Sequence, residues 1–209
     1  MNPVSNDFIR NNVKMSDFNT LYNDKSENKY YVGDDNDYTN SLRKLHNYIK
    51  TKLIVGVCST FNEPIQILDM SIGRGGDLNR YLDKSSNAKF ILGIDLYPVD
   101  EACRRYYDNR FKHKTKAVFV QGDTSQDFMN TECYDNVMIS DEDKKHSETM
   151  LSILYNKHKS IPKEYKNIQK KFNNLGIQKF EVISSQFTFH YYLETEDKFK
   201  NTIGNIVKN

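Results

Sequence analysis

The segment ILDMSIGRGGDLNRYL (67–82) constrains the fold more than any other part of this sequence. A short apolar run passes into a turn that contains Gly73, Gly75 and Gly76, and a stretch with helical character follows. A buried strand that enters a helix through a glycine turn is typical of an open α/β sheet, in which ligands bind beyond the carboxyl ends of the strands. The turn is therefore a candidate binding loop.

Predicted strands and helices alternate along the rest of the chain. Continuous apolar runs predict four buried strands, at 65–70, 89–96, 116–123 and 180–187. Helical spacing predicts one helix that begins at Thr39, which would be its N-cap, and further helices at 77–83, 99–111 and 195–207. Strands that alternate with helices indicate an α/β sheet with right-handed crossovers.

The polarity of the sequence suggests how the chain is divided. We expect a loosely ordered lead-in at residues 1–37 and one domain at 38–209, with a polar insert at about 127–178. The insert is acidic near 140–148 and rich in lysine at 158–172. It is interpreted as an amphipathic helix laid over the sheet. The alternative is a lysine-rich surface beside a phosphate-bearing ligand.

Composition excludes several classes of protein. The 209 residues contain 30 Lys and Arg against 28 Asp and Glu, so bulk charge does not indicate a nucleic-acid binder. Three widely separated cysteines predict neither a disulfide framework nor a zinc site, and no other metal site is predicted. The absence of a long apolar run or a signal peptide predicts a soluble intracellular protein without a membrane segment.

Acidic residues end the first three predicted strands. Asp69 precedes the glycine turn, Asp95 ends the second strand and Asp123 ends the third. An acid about twenty residues after such a turn is placed to bind the ribose of an adenosine cofactor. Carboxylates suit a cationic sulfonium better than a pyrophosphate, so the predicted cofactor is S-adenosylmethionine. The alternative is that these are ordinary turn glycines and capping aspartates.

Three separated motifs resemble those of the mRNA cap guanine-N7 methyltransferases of eukaryotes and large DNA viruses. They are SLRKLHNYIKTKLI (41–54), LDMSIGRGGDL (68–78) and FEVISSQFTFHYYLE (180–194). The resemblance implies a Rossmann-like class I S-adenosylmethionine-dependent methyltransferase, which is a three-layer αβα sandwich with a seven-stranded sheet. Only four strands are predicted here, so we expect the chain to be a fragment that lacks the last strands of that sheet.

The resemblance also implies which residues bind the cofactor. Lys50 would pair with the methionyl carboxylate, the loop at 71–76 would surround the methionine, Asp95 would bind the ribose and Asp123 the adenine. Gln186 and Tyr191 would complete the pocket. The implied cofactor-binding residues are therefore Lys50, Ser71, Gly73, Asp95, Asp123, Gln186 and Tyr191. The family has glycine where Ser71 stands here, and Ile72 is a further departure.

For the guanine cap, the resemblance implies a second set of residues: His46, Asn47, Arg74, Arg80, Arg105 and His190. Guanidinium groups suit the cap triphosphate, and Arg74 stands where the family often has lysine. We assign no catalytic general base, because guanine N7 carries a lone pair and no proton. The alternative for His46 and His190 is that they are hydrogen-bonded structural histidines.

The predicted function is therefore methyl transfer from S-adenosylmethionine to N7 of the RNA cap guanine. The predicted partners are the capped RNA 5′ end and other capping-enzyme domains (triphosphatase and guanylyltransferase) in the same chain or a partner chain. One alternative is a methyltransferase of the same fold with another substrate, and a second is a catalytically silent module that binds RNA or a capping partner. The expected location is the host cytoplasm or the virion for a viral protein, and the nucleus for a cellular one.

Overall fold

The computed structural model describes residues 37–109 and 112–209. Contacts divide the chain into two units, Met1–Ile49 and Lys50–Asn209. Helix α1 (Asp37–Cys58) begins in the first unit and ends in the second. The predicted lead-in falls outside the described residues except for Asp37, so the division into 1–37 and 38–209 stays a prediction. The predicted N-cap is wrong, because the helix begins two residues before Thr39 and includes it.

Four parallel strands form one sheet in the order β3-β2-β1-β4. They are β1 (Ile65–Asp69), β2 (Ala88–Asp95), β3 (Lys116–Gln121) and β4 (Val182–Ser184). All four predicted strands are confirmed, but β4 has three residues where eight were expected. It pairs only with the last three residues of β1, and the left-handed backbone of Phe187 (φ 62°) is incompatible with a continuing strand.

Helices follow or connect the strands. They are α2 (Leu78–Tyr81), α3 (Asp100–Asn109), α4 (Asp141–Leu154), α5 (Lys166–Phe172) and α6 (Glu196–Lys208). The closing helix is confirmed, and the Thr195 side chain caps it by accepting a hydrogen bond from the Lys198 amide. Helix α2 is shorter than predicted, with Asp77 at its N-cap position. Among the described residues, the structure contains no helix of the length and apolarity that a membrane crossing requires.

Two hydrophobic cores lie on opposite faces of the sheet. Because side chains alternate along a strand, neighbouring strand residues contribute to different cores. Leu68, Leu92 and Val118 pack with helix α4 on one face. Ile67, Ile91 and Phe119 pack on the other face with Leu78 and Tyr81 of α2, Ala102 of α3 and Ile54 of α1. The three-layer αβα architecture is confirmed for this four-stranded sheet.

The polar insert at 127–178 supplies the connection from β3 to β4. Parallel strands require a crossover connection of this kind. Within it, Leu151, Ile153 and Leu154 of α4 are fully buried, and the acidic start of the helix is capped by Ser140, which accepts from the Asp143 amide. The interpretation as an amphipathic helix over the sheet is confirmed.

Candidate active site

The strand order places a crevice at the carboxyl end of β1. The chain adds β2 and β3 on one side of β1 and β4 on the other, and ligands of open α/β sheets bind where the order reverses in this way. Asp69 pairs with Gly93 of β2 and with Ser184 of β4. The turn after β1 and the segment after β4 therefore begin side by side.

The acidic residues at the strand ends are arranged in a regular stagger. Asp69 is level with Gly93, so Asp95 lies two residues further along β2. Asp95 is in turn level with Gln121, and Asp123 follows two residues later. Because side chains repeat every two residues along a strand, Asp69 and Asp95 lie on the same face of the sheet. The predicted gathering of acids at this edge agrees with the register.

Asp95 holds the glycine turn against β2. The Gly73 amide donates to Asp95 Oδ2 over 2.7 Å, and the Tyr97 amide donates to Asp95 Oδ1 over 3.0 Å. A carboxylate has about four acceptor positions, so two remain for a ligand. Burial raises the pKa of the Asp95 carboxyl above its usual value.

The turn needs glycine for reasons of space as well as conformation. Gly75 has a φ of 74°, and a Cβ there would lie 2.6 Å from Leu78 Cδ1 and 3.0 Å from Ala102 Cα. Gly93 on β2 makes room for Ile72, whose Cβ would lie 2.9 Å from a Cβ at that position. The departure at Ile72 thus forms a tight contact between the turn and β2.

Asp69 is the most deeply buried acid of this edge, with 2% of its surface exposed. Its Oδ2 accepts from the Tyr81 hydroxyl over 2.8 Å, and its Oδ1 accepts from the Ser71 amide over 3.0 Å. Burial is the main cause that raises the pKa of Asp69 to about 7, and the nearby charges of Asp77 and Asp95 add to it. Sequence reasoning noted this acid but missed its tyrosine partner.

Ser71 joins the turn to the segment after β4. Its hydroxyl shares a hydrogen bond of 2.6 Å with the Thr188 hydroxyl, and Thr188 also bonds to Ser185 over 2.8 Å. A glycine at position 71 would lack this bond. The Thr188 contact was missed because the two residues lie 117 positions apart, and no local signal could have found it.

Asp77 is the centre of a cluster of charged side chains that sequence reasoning also missed. Lys50 Nζ lies 2.8 Å from Asp77 Oδ2, and Arg80 Nη1 lies 2.7 Å from Asp77 Oδ1. Arg80 also donates to Thr51 Oγ1 over 2.9 Å. The Lys50 ammonium lies 5.5 Å from the centre of the Phe187 ring. The available signal was the i, i+3 spacing of Asp77 and Arg80 within one turn of helix.

The remaining predicted cofactor residues lie around the same edge. Asp123 accepts from the Ser125 amide over 2.8 Å and from the Ser125 hydroxyl over 2.6 Å, and Gln126 Nε2 donates to it over 3.2 Å. These bonds show that Asp123 stabilises the turn after β3, whether or not it also binds a ligand. Gln186 Nε2 donates to Ser184 Oγ over 3.1 Å, which places it just beyond β4. Their ligand-binding roles stay predictions.

Tyr191 and His190 belong to a short 3-10 helix, Phe189–Leu193, that the sequence did not predict. Their rings pack with centroids 4.0 Å apart, and 61% of Tyr191 is exposed. The buried Tyr192 holds this helix in place, since its hydroxyl donates to the Met70 carbonyl over 2.9 Å and bonds to Thr124 over 2.7 Å. The exposed pair is thereby fixed beside the end of β1.

The other predicted cap-binding residues are distributed more widely. Arg74 is partly buried within the glycine turn. Arg105 donates to Glu101 of the same helix over 2.9 Å, and Arg104 and Arg105 together hold the pKa of Glu101 down at about 2. His46 and Asn47 lie on the part of α1 that belongs to the first unit. Cap binding by these residues stays a prediction.

Comparison with known proteins gives consistent results. The sequence profile of the mRNA (guanine-N(7))-methyltransferase domain matches residues 9–160. A probable mRNA-capping enzyme of Acanthamoeba polyphaga mimivirus is 26% identical, over 98% of this chain and 17% of that protein. The mRNA cap guanine-N(7) methyltransferase of Schizosaccharomyces pombe is 28% identical, over 80% of this chain and 35% of its own length.

A third relative is the mRNA cap guanine-N(7) methyltransferase of Debaryomyces hansenii. It is 26% identical, over 95% of this chain and 36% of its own length. The chain therefore spans between about one sixth and slightly more than one third of the length of these three proteins.

Proposed function

Because this chain belongs to the mRNA (guanine-N(7))-methyltransferase family, we propose that it transfers a methyl group to N7 of the guanine in an RNA 5′ cap. Membership is the observation that carries the proposal, since the matched profile covers well over half of the chain. The fold by itself does not identify this activity, because one fold serves many chemistries. The supporting features are those of the edge where β1 and β4 end.

The methyl donor we propose is S-adenosylmethionine, and the chemistry of the acceptors at this edge fits it. When bound, this cofactor supplies a methyl group attached to a cationic sulfur. Asp95 has two acceptor positions beyond those used by the Gly73 and Tyr97 amides, which matches the two hydroxyls of a ribose. Asp123 would accept from the adenine amino group, and Gln186 and Tyr191 would close the pocket.

Lys50 would bind the methionyl carboxylate beside the turn formed by Ser71 and Gly73. Its ammonium group has three donors, and Asp77 accepts one of them. A carboxylate brought to Lys50 would therefore find a cation already oriented by Asp77. The Asp95 carboxylate, and that of Asp69 when it is ionised, would attract a cationic ligand at this edge.

The cap would lie on the exposed side of the same edge. The exposed His190 ring packs against Tyr191 with centroids 4.0 Å apart, and its face would stack on a purine. Arg74 and Arg80 belong to the glycine turn and the helix that follows it, where guanidinium groups suit the triphosphate. We propose that Arg105, His46 and Asn47 also contact the cap.

The chemical work of the chain is positioning. In the proposed reaction the lone pair of guanine N7 would form a bond to the methyl carbon while the carbon–sulfur bond of the donor breaks and leaves its electron pair on sulfur, so no residue has to remove a proton. The residues must hold the two reactants in line and exclude water, and alignment of this kind accounts for much of the rate in such reactions. We therefore assign no general base, and His190 is given a binding role.

A methylation assay tests the proposal. Capped RNA, uncapped RNA and free GTP are each incubated with the full 209-residue chain and labelled S-adenosylmethionine, and the nucleosides are analysed after digestion. We expect label in N7-methylguanosine from capped RNA only. Asp95→Asn should abolish the product, whereas the control Asp100→Asn, an exposed acid at the start of α3, should not.

The same assay separates the competing functions. Label in a small molecule or a protein, with none in capped RNA, would indicate a methyltransferase with another substrate. Cofactor binding with no transfer would favour a silent module that binds RNA or a capping partner. We propose that the remaining capping-enzyme domains act with this chain at the RNA 5′ end. Its cellular location stays a prediction.

A further inference from the structure

A basic cleft lies at the amino ends of the strands, opposite the candidate active site. Its volume is about 840 Å³, and an adjoining cleft of about 470 Å³ shares Lys84 and Lys112 with it. Residues that precede or begin β1, β2 and β3 form most of its wall. We refer to it as the basic cleft, and its five lysines are Lys84, Lys89, Lys112, Lys114 and Lys116.

These lysines have no ion-pair partner in residues 37–109 and 112–209. All five are exposed, and none lies within ion-pair distance of a carboxylate among the residues that the structure describes. The one acid in the wall, Asp83, accepts hydrogen bonds from Ser85. Because the chain as a whole carries a formal charge of only +2, the basic cleft is a concentrated positive region on a nearly neutral molecule.

The wall of the cleft also contains a buried side chain, Gln66, with an unpaired hydrogen-bond acceptor. Gln66 has no exposed surface, and its Oε1 has no hydrogen-bond partner among residues 37–109 and 112–209. Its Nε2 is 3.5 Å from Gln178 Oε1, which is a long contact. Buried polar atoms are rarely left unpaired in folded proteins, and a bound water, ion or ligand is a common explanation where one is. The cleft therefore combines phosphate-binding charges with an unpaired acceptor that lies just beneath its wall, and a bound hydroxyl or amino group would reach this acceptor once a covering side chain moves aside.

We propose that the basic cleft binds the phosphate backbone of the RNA downstream of its cap. The choice of RNA over another polyanion rests on the proposed function and on Gln66, since RNA presents 2′-hydroxyl and base amino donors beside its phosphates. Strand β2, with eight residues, separates the two edges by about 26 Å. A cap dinucleotide cannot span that distance, whereas a longer transcript can reach both sites.

Binding of an uncapped single-stranded RNA, followed by fluorescence anisotropy over a range of salt concentrations, tests this proposal without requiring methyl transfer. The cleft variant is Lys84→Gln/Lys89→Gln/Lys114→Gln in the full chain. The control, Lys198→Gln/Lys200→Gln/Lys208→Gln, removes the same charge from α6, where each lysine has a carboxylate within 4.0 Å.

We expect the cleft variant to bind RNA about tenfold more weakly at low salt, with a log–log salt slope reduced by about 2, and the control to bind normally. Equal losses in both variants, or no loss in either, would overturn the proposal. Calorimetric binding of S-adenosylmethionine checks that the variants fold. Loss of methyl transfer with normal binding of uncapped RNA would count against the proposed function alone.

A second variant distinguishes RNA from other polyanions. Gln66→Met keeps the shape of the side chain but removes its polar atoms, so it should weaken RNA binding and leave binding of inorganic polyphosphate unchanged. An equal effect on both ligands, or displacement of RNA by an equal charge of polyglutamate, would identify the cleft as a site for acidic polymers in general and would overturn the assignment to RNA.

Discussion

The ammonium group of Lys50 lies 2.8 Å from the carboxylate of Asp77. Asp77 is only 10% exposed and also pairs with Arg80 at 2.7 Å, so one carboxylate orients two cations beside the glycine turn. This arrangement fixes where an anionic group of a ligand would be received. It also explains how a lysine on α1 is held in place by the turn that follows β1.

Replacement of Lys50 should affect only ligands that carry a carboxylate. We expect Lys50→Met to weaken S-adenosylmethionine binding by about tenfold to a hundredfold, because a hydrogen bond to a charged group is lost. Binding of 5′-methylthioadenosine, which lacks the methionyl carboxylate, should be unchanged. Titration calorimetry with both ligands measures the difference. Lys52→Met, an exposed position on the same helix, is the control, and equal weakening of both ligands would contradict the assigned role.

The glycine turn should tolerate a methyl group at one position and not at its neighbour. Gly75→Ala would place Cβ 3.0 Å from the Ala102 backbone at a φ of 74°, so it should lower the free energy of unfolding by about 2–4 kcal/mol. Gly76→Ala meets no atom within 4 Å and should be nearly neutral. Denaturant unfolding of both variants makes the comparison, and similar stabilities would show that the turn is arranged differently.

Two adjacent tyrosines in the 3-10 helix after β4 should differ in how much their hydroxyl groups contribute to stability. Tyr192→Phe removes a buried hydroxyl that bonds to the Met70 carbonyl and to Thr124, and we expect it to lower the free energy of unfolding by about 1–2 kcal/mol. Tyr191→Phe, at a position 61% exposed, should leave stability unchanged. Thermal unfolding distinguishes them, and a larger effect at Tyr191 would contradict the described packing.

The sequence was a good guide wherever burial alone decided the structure. Strands β1, β2 and β3 are covered on both faces, so they appear as continuous apolar runs. Asp69, Asp95 and Asp123 were identified because each is a charged residue at or just after the end of such a run. Strand β4 was predicted too long because FEVISSQF has the composition of a strand throughout. Its length depends on pairing with β1 and on the backbone of Phe187, neither of which composition records.

Contacts between distant segments could not be predicted from the sequence. Lys50 and Asp77 are 27 residues apart, and Ser71 and Thr188 are 117 apart. These pairs form only because the last part of α1, from Lys50 onward, packs near the first turn and because β4 lies beside β1 in the sheet. Asp69 and Tyr81 were each visible in the sequence, but their hydrogen bond depends on the angle at which α2 leaves the glycine turn.

Asp69 should make the stability of the protein depend on pH. Its pKa is about 7 in the folded chain, against 3.8 for an unperturbed aspartate. Between these values the native state holds a proton that the unfolded chain has lost, so the free energy of unfolding falls as pH rises from about 4 to 7, by up to about 4 kcal/mol. Well above pH 7 Asp69 is ionised in both the folded and the unfolded chain, so it adds no further dependence of stability on pH. Asp69→Asn, which cannot ionise, should lose this dependence.

Denaturant unfolding between pH 4 and 8 compares Asp69→Asn with the parent chain. We expect the free energy of unfolding of Asp69→Asn, relative to that of the parent chain, to rise as pH increases from about 4 to 7. A difference between the two chains that does not vary with pH would contradict the raised pKa of Asp69. A cationic ligand nearby favours the ionised carboxylate, so S-adenosylmethionine should release protons when it binds below pH 7. Calorimetry in buffers of different ionisation enthalpy would detect that release in the parent chain, and the release should be smaller in Asp69→Asn.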